Sequence, residues 1–157
     1  MTHNRIQIKY ENESDTLPES TEERIAEVLI LLMTEVNQPG RSLSLYFCST
    51  ETMSQLNGTY RKKEQATDLL SWLYQEDESE TVIPGEPWGE LVYCLEFIKD
   101  RLQTSGWELE DELLRLTVHG LVHLLGYDHE SDTEEAEMLG MENKLLKRIG
   151  MVGVYPV

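Results

Sequence analysis

Three of the chain's four histidines fall inside one short stretch, His119-Gly120-Leu121-Val122-His123-Leu124-Leu125-Gly126-Tyr127-Asp128-His129. Leu109, Leu113, Leu116, Val118 and Leu121 lead into it with helical spacing, so a long helix is expected to carry His119 and His123 in its second half. Four residues apart, those two imidazoles stack on one helix face, about one turn from each other. Gly126 follows where a helix can end, because glycine takes the left-handed conformation at little cost. The chain can then fold back and bring His129 to the other two. A lone helical histidine is more often a core or surface residue than a ligand; a third one beyond a glycine turn shifts that balance. Three neutral imidazoles with a fourth position open match a catalytic zinc site, although nickel, copper and iron also accept imidazole. The expectation from spacing alone is a metal-dependent hydrolase of unknown substrate.

At 157 residues the chain is long enough for one real hydrophobic core, and residues 1–157 are read as a single domain. A formal net charge of −17 argues against non-specific binding to polyanions, since the far field repels phosphate. A nucleic-acid role therefore requires a local basic patch. Cys48 and Cys94 have neither metal nor redox spacing and are expected to be buried free thiols in a reducing cytosol. The first residues lack an apolar core of signal-peptide length, and no segment approaches the roughly 20 apolar residues that span a bilayer. A cytoplasmic protein with no membrane partner is expected.

Alternation of Ile6, Ile8 and Tyr10 with polar neighbours predicts a first strand. Ser20 and Glu23 read as a capping box ahead of Ile25, Val28, Leu29, Leu32 and Val36, with Pro39-Gly40 closing that helix. Leu43, Leu45 and Phe47 mark a second strand, and a short helix is expected near residues 50–60, with Met53 and Leu56 inward. Asp68 to Tyr74 is a third strand candidate, followed by an acidic loop with Glu76, Asp77, Glu78 and Glu80 that Pro84, Gly85 and Pro87 keep irregular. Leu91 to Leu95 gives a more buried fourth strand, running into a helix that ends near Gly106. Ser131 and Glu134 cap a last helix with Met138, Leu139, Leu145, Leu146 and Ile149 inward, ended by Gly150. This order predicts an α+β domain, α/β-like, with one sheet under a helical layer.

The spacing His-x-x-x-His-x-x-Gly-x-x-His is similar to that of metzincin proteases, which place their general-base glutamate directly after the first histidine. Here that position is Gly120, which can abstract no proton. Asp128 is either an acceptor for a ligand's second ring nitrogen or a turn-former before His129.

Taken together, His119-Gly120-x-x-His123-Leu124-x-Gly126-Tyr127-Asp128-His129, Leu56-Asn57-x-x-Tyr60-Arg61, Thr67-Asp68-x-Leu70-Ser71 and Gly89-Glu90-Leu91-Val92 resemble the YbeY family of bacterial metal-dependent endoribonucleases. Glu134, Glu135, Met138 and Glu142 of the last helix fit as well. Two positions depart from the family pattern: Trp72-Leu73 stands where Phe-Pro is usual, and Glu90 where aspartate is usual. The resemblance implies a zincin-like domain with one mixed four-stranded sheet packed against several helices. It implies cleavage of single-stranded RNA, maturation of the 3′ end of 16S ribosomal RNA, and quality control with the small ribosomal subunit and its proteins. It carries His119, His123 and His129 over as zinc ligands, His119 and Arg61 as the catalytic pair, and Ser71 with Arg61 as substrate contacts. A guanidinium suits this role because it forks onto phosphate; the bland alternative is a surface ion pair with one of the chain's 30 acidic residues.

Arg61, Lys62 and Lys63 form one basic cluster, expected to rim the cleft and bind substrate; Lys144, Lys147 and Arg148 form another. The second could guide a strand or simply complement a helix C-terminus. Two other readings stay open: a zinc metalloprotease-like hydrolase, and a non-catalytic ribosome-assembly factor whose structural metal is closed by Cys48, Cys94 or a carboxylate.

Overall fold

Strand β1 (Ile6–Tyr10) and helix α1 (Glu19–Glu35) open the chain. The computed structural model describes residues 5–61, 67–74, 87–128 and 130–155, apart from the side chains of Tyr60 and Arg61. The acidic segment from Glu76 to Glu80, with Pro84 and Gly85, lies outside the described residues. Helix α1 begins earlier than the expected Ser20–Glu23 box. Pro18 is its N-cap, and the Pro18 carbonyl accepts from the N–H groups of Thr21 and Glu22. Ser20 therefore sits inside the first turn, because the proline ring already fixes the entry angle. The helix also ends before Pro39-Gly40. Asn37 takes φ 61°, and the N–H groups of Asn37 and Gln38 close onto the Thr34 and Met33 carbonyls at 3.2 and 2.7 Å. Asparagine supplies the left-handed residue that glycine usually provides.

Strand β2 (Leu43–Cys48), helix α2 (Thr50–Arg61), strand β3 (Leu69–Leu73) and strand β4 (Gly89–Cys94) follow. Helices α3 (Leu95–Ser105), α4 (Leu109–Leu124) and α5 (Asp132–Arg148) complete the order. Among the described residues there is one mixed four-stranded sheet, ordered β1-β2-β4-β3, with β3 alone antiparallel to its neighbour. The described residues are α+β, as expected.

The pleat splits the sheet's side chains between two cores. Ile6, Leu43, Leu45, Phe47, Leu91 and Tyr93 face α1 and α4 in the larger one, where Met138, Leu145 and Leu146 bring in α5. Cys48, Leu70, Val92 and Cys94 face the other way, with Met53 and Leu56 of α2. The helices thus cover both faces rather than forming the one layer expected. Both cysteines are buried and free, and burial pushes the Cys48 thiol up to about 12. Ser131 does cap α5, its hydroxyl accepting from the Glu134 N–H at 3.1 Å. No helix among the described residues is long and apolar enough to cross a membrane.

Helix α4 packs tightly against the sheet at Gly120. A Cβ there would lie 2.7 Å from Leu91 Cδ2 and 3.1 Å from Leu69 Cδ2, and Leu91 is fully buried. Thr117, one turn earlier, ties the helix to β4 through a 2.6 Å bond with the Tyr93 hydroxyl. The methyl of Gly120→Ala gains about 1 kcal/mol of helix propensity but must displace packed leucines, which typically costs about 1–3 kcal/mol. We expect Gly120→Ala to destabilise the fold in urea titration. Gly140→Ala on α5, where an added Cβ meets nothing within 4 Å, should instead stabilise it by about 1 kcal/mol. Equal shifts in the two variants would contradict this account of α4 packing.

Candidate metal centre

His119 and His123 do share one face of α4. Their rings lie edge to face, with centroids 4.7 Å apart. Arg115 is one turn further toward the helix N-terminus, so Arg115, His119 and His123 form a row with a spacing of four residues. All three line a cleft of about 650 Å³ whose other walls include Asn57, Asp68, Ser71 and Arg101. A second hollow of about 300 Å³ continues past His123 along Ser71, Trp72, Leu73, Gly126 and Asp128. Ser71 belongs to both because β3 turns Leu69, Ser71 and Leu73 toward α4.

Beyond His123 the helix stops as its glycine suggests. Gly126 has φ 100°, and the N–H groups of Gly126 and Tyr127 bond back to the His123 and Val122 carbonyls at 2.9 and 3.3 Å. This is the double closure that turns a chain sharply away from a helix axis. His129 lies outside the described residues, as do Lys62 and Lys63. Arg61 is the last residue of α2, and its side chain is likewise outside the described set. Asp128, Glu130 and Glu134 bring carboxylate oxygens within 4.8 Å of one another just after the turn, all three exposed.

Glu142 of α5 is the residue that motif spacing did not single out as part of the site. It is 1% exposed, and its Oε1 accepts a 2.6 Å hydrogen bond from His119 Nδ1. A carboxylate behind the imidazole fixes which nitrogen carries the proton and leaves Nε2 as the ring's free donor atom. That arrangement fits a divalent transition ion, whose histidine ligands are commonly held this way. Sequence did carry a signal: Glu142 falls on the same stripe as Met138, Leu145 and Leu146, where an unpaired charge would be costly.

From Glu142 a line of polar contacts runs along the cleft wall. Tyr155 Oη donates to Glu142 Oε1 at 3.5 Å and accepts from Arg115 Nη1 at 2.8 Å. Arg115 Nε bonds Glu112 Oε1 at 2.5 Å. Arg101 Nη2 sits 3.7 Å from the same oxygen, while Arg101 Nη1 bonds Asp68 Oδ2 at 2.8 Å. Arg101 Nε and Nη2, the side-on edge of its guanidinium, have no hydrogen-bond partner among the described residues. Arg101 and Arg115 are thus the cleft's cations among the described residues, and neither stood in a basic cluster. The C-terminal cluster is elsewhere: Arg148 bonds Glu35 of α1 at 2.8 Å, and Lys144 and Lys147 are exposed.

The two departures from the family pattern fall differently. Glu90 points to the α2 side of the sheet, where Ser44 and Tyr74 hydroxyls donate to its two oxygens at 3.3 and 2.5 Å. It takes no part in the cleft wall described above. Trp72 and Leu73 do line the smaller hollow beside His123.

Residues 7–150 match the family model described as Endoribonuclease YbeY. An Endoribonuclease YbeY from Renibacterium salmoninarum is 40% identical over 111 residues, covering 69% of this chain and 71% of that protein. One from Staphylococcus aureus strain JH9 is 34% identical over 113 residues, covering 69% and 73%. The solution structure of TM1509 from Thermotoga maritima superposes with a TM-score of 0.62 at 23% identity, over 92% of this chain and 88% of that one, a likeness of fold. The histidine row, the glycine turn and the match over residues 7–150 agree, and the chain belongs to the Endoribonuclease YbeY family.

Proposed function

We propose that this chain is a metal-dependent endoribonuclease of ribosomal-RNA processing, acting on single-stranded RNA. Its substrate is the 3′ region of 16S ribosomal RNA, met in the cytoplasm on the small ribosomal subunit, with proteins of that subunit assisting targeting. The observation that carries the reading is one cleft that combines the His119–His123 pair with the guanidiniums of Arg101 and Arg115, in a chain matched to this family over residues 7–150.

His119, His123 and His129 are the proposed ligands of one divalent ion, zinc by preference, with nickel or another first-row ion as substitutes. When bound, the ion supplies Lewis-acid polarisation of a phosphoryl oxygen and lowers the pKa of nearby water. Glu142 holds the His119 ring from behind. Arg61, with Arg115 and Arg101, offers the planar forks that receive phosphate oxygens as charge builds on them. Lys62 and Lys63 are proposed as further phosphate contacts, and Ser71, which lines the cleft, offers a hydroxyl. A protease reading finds no support at Gly120, where leucines occupy the space that a glutamate would need.

Incubation of the zinc-loaded chain with single-stranded RNA, duplex RNA and casein tests this function. Cleavage of the single strand alone, abolished by chelator and by His123→Ala, is the expected result. Intact RNA together with cleaved casein would overturn it, and intact RNA and casein alike would return the metal to a structural role. Separately, Glu142→Gln should weaken zinc affinity about 10- to 100-fold in chelator competition. With three guanidiniums on phosphate, each contributing a slope of about 0.7 on single strands, RNA affinity should fall roughly tenfold or more between 50 and 200 mM salt. A flat salt response would remove those arginines from the RNA contact.

A further inference from the structure

The chain continues past α5 and comes back to the site. Gly150, at φ 88°, closes that helix, and Met151, Val154 and Tyr155 pack partly buried against the larger core. Tyr155 is then clamped to α5 by both sides of one amide. Its N–H donates to Asn143 Oδ1 and its carbonyl accepts from Asn143 Nδ2, each at 3.3 Å. Asn143 is the neighbour of Glu142, so this clamp brings the Tyr155 hydroxyl to the buried carboxylate. The hydroxyl meets the same oxygen, Glu142 Oε1, that receives the His119 proton, at 3.5 Å against 2.6 Å.

We propose that Tyr155 is a positioning residue for His119: the tail closes the site over Glu142, and the Tyr155 hydroxyl links the Arg115 guanidinium to the carboxylate behind the imidazole. The proposal rests on the metal-ligand reading of His119 given above. Its chemistry is a matter of orientation and charge. A carboxylate with two oxygens and a single imidazole partner can rotate about its last bond, and rotation would carry Oε1 away from Nδ1. The hydroxyl supplies that oxygen with a second donor, while Arg115 Nη1 fixes the hydroxyl's own orientation at 2.8 Å. Burial raises the pKa of Tyr155 above its ordinary value, with Arg115 pulling the other way, so the phenol keeps the proton it has to donate. Arg115 is held in turn by the buried Glu112, which leaves the line little slack. Helices α4 and α5 are thus joined across the site by a residue outside both.

A double-mutant cycle on the full chain separates this role from simple packing of the tail. Tyr155→Phe keeps the ring and both backbone bonds and removes only the hydroxyl. Zinc affinity, measured by competition with a chromophoric chelator, is expected to fall about three- to tenfold in Tyr155→Phe, short of the roughly 10- to 100-fold loss expected for Glu142→Gln. In a Glu142→Ala background, Tyr155→Phe should cost nothing more, because the oxygen it served is gone. Thermal unfolding of the metal-free proteins should change little between wild type and Tyr155→Phe. Unchanged zinc affinity in Tyr155→Phe would overturn the proposal, and so would an equal loss in both backgrounds, which would mark the tail as a general brace. Should Glu142→Ala not fold, Glu142→Asp serves in the cycle, since it keeps the charge but withdraws it from the imidazole and the hydroxyl. Wild-type chain with no zinc affinity, or His123→Ala with full affinity, overturns the metal reading and the proposal with it. A positioning failure is distinct from that outcome: it appears with wild-type zinc binding intact.

Discussion

The close approach of α4 to the sheet at Gly120 governs where everything else can stand. A helix face with no side chain lets the backbone settle onto Leu91 and Leu69, and the Thr117–Tyr93 bond holds it there. Successive residues project about 100° apart around a helix, so His119 and His123 emerge beside the contact rather than beneath it. They meet the inward face of β3 at the height of Ser71, and the cleft between them is what remains open. The missing glutamate of the protease pattern has the same origin. That position is spent on packing, so the helix presents two imidazoles without presenting a base.

Electrostatically, the cleft differs from the rest of the molecule. In a chain with net charge −17, two basic side chains stand on this wall among the described residues, Arg101 and Arg115. Each stands against a carboxylate that is wholly or partly buried, Asp68 and Glu112 for Arg101, Glu112 for Arg115. Buried charges persist only when paired, so these residues hold one another in place before any ligand arrives. The contacts continue through Tyr155 and Glu142 to His119. Orientation of the proposed metal ligand is therefore coupled to the same line of contacts that holds the guanidiniums of the cleft's described residues.

Local readings of the sequence succeeded where the physics is local. β1, the Ser131 cap, the Gly126 and Gly150 stops and the four-residue histidine spacing all depend on neighbours within a turn or a strand, and each was found. The first helix shows the limit of such reasoning. Ser20 and Glu23 spell a capping box, but Pro18 starts the turn first; Pro39-Gly40 spells a stop, but Asn37 reaches the left-handed conformation first. Competing signals a few residues apart cannot be ranked from composition, because each is worth only about 1 kcal/mol.

The amino-acid sequence by itself determined the α+β element order, the presence of an imidazole pair on one helix face and the family to which the chain belongs. Tertiary structure decided which residues complete the site. Glu142 is 23 positions from His119 and Tyr155 is 40 from Arg115, and Arg101 reaches Asp68 across 33. No periodicity links such pairs, since they meet only after α4 lies on the sheet, α5 lies on α4 and the tail folds back over both. Burial then turns an isolated glutamate in an apolar stripe into the partner of a histidine, because a carboxylate removed from water must find a donor within reach.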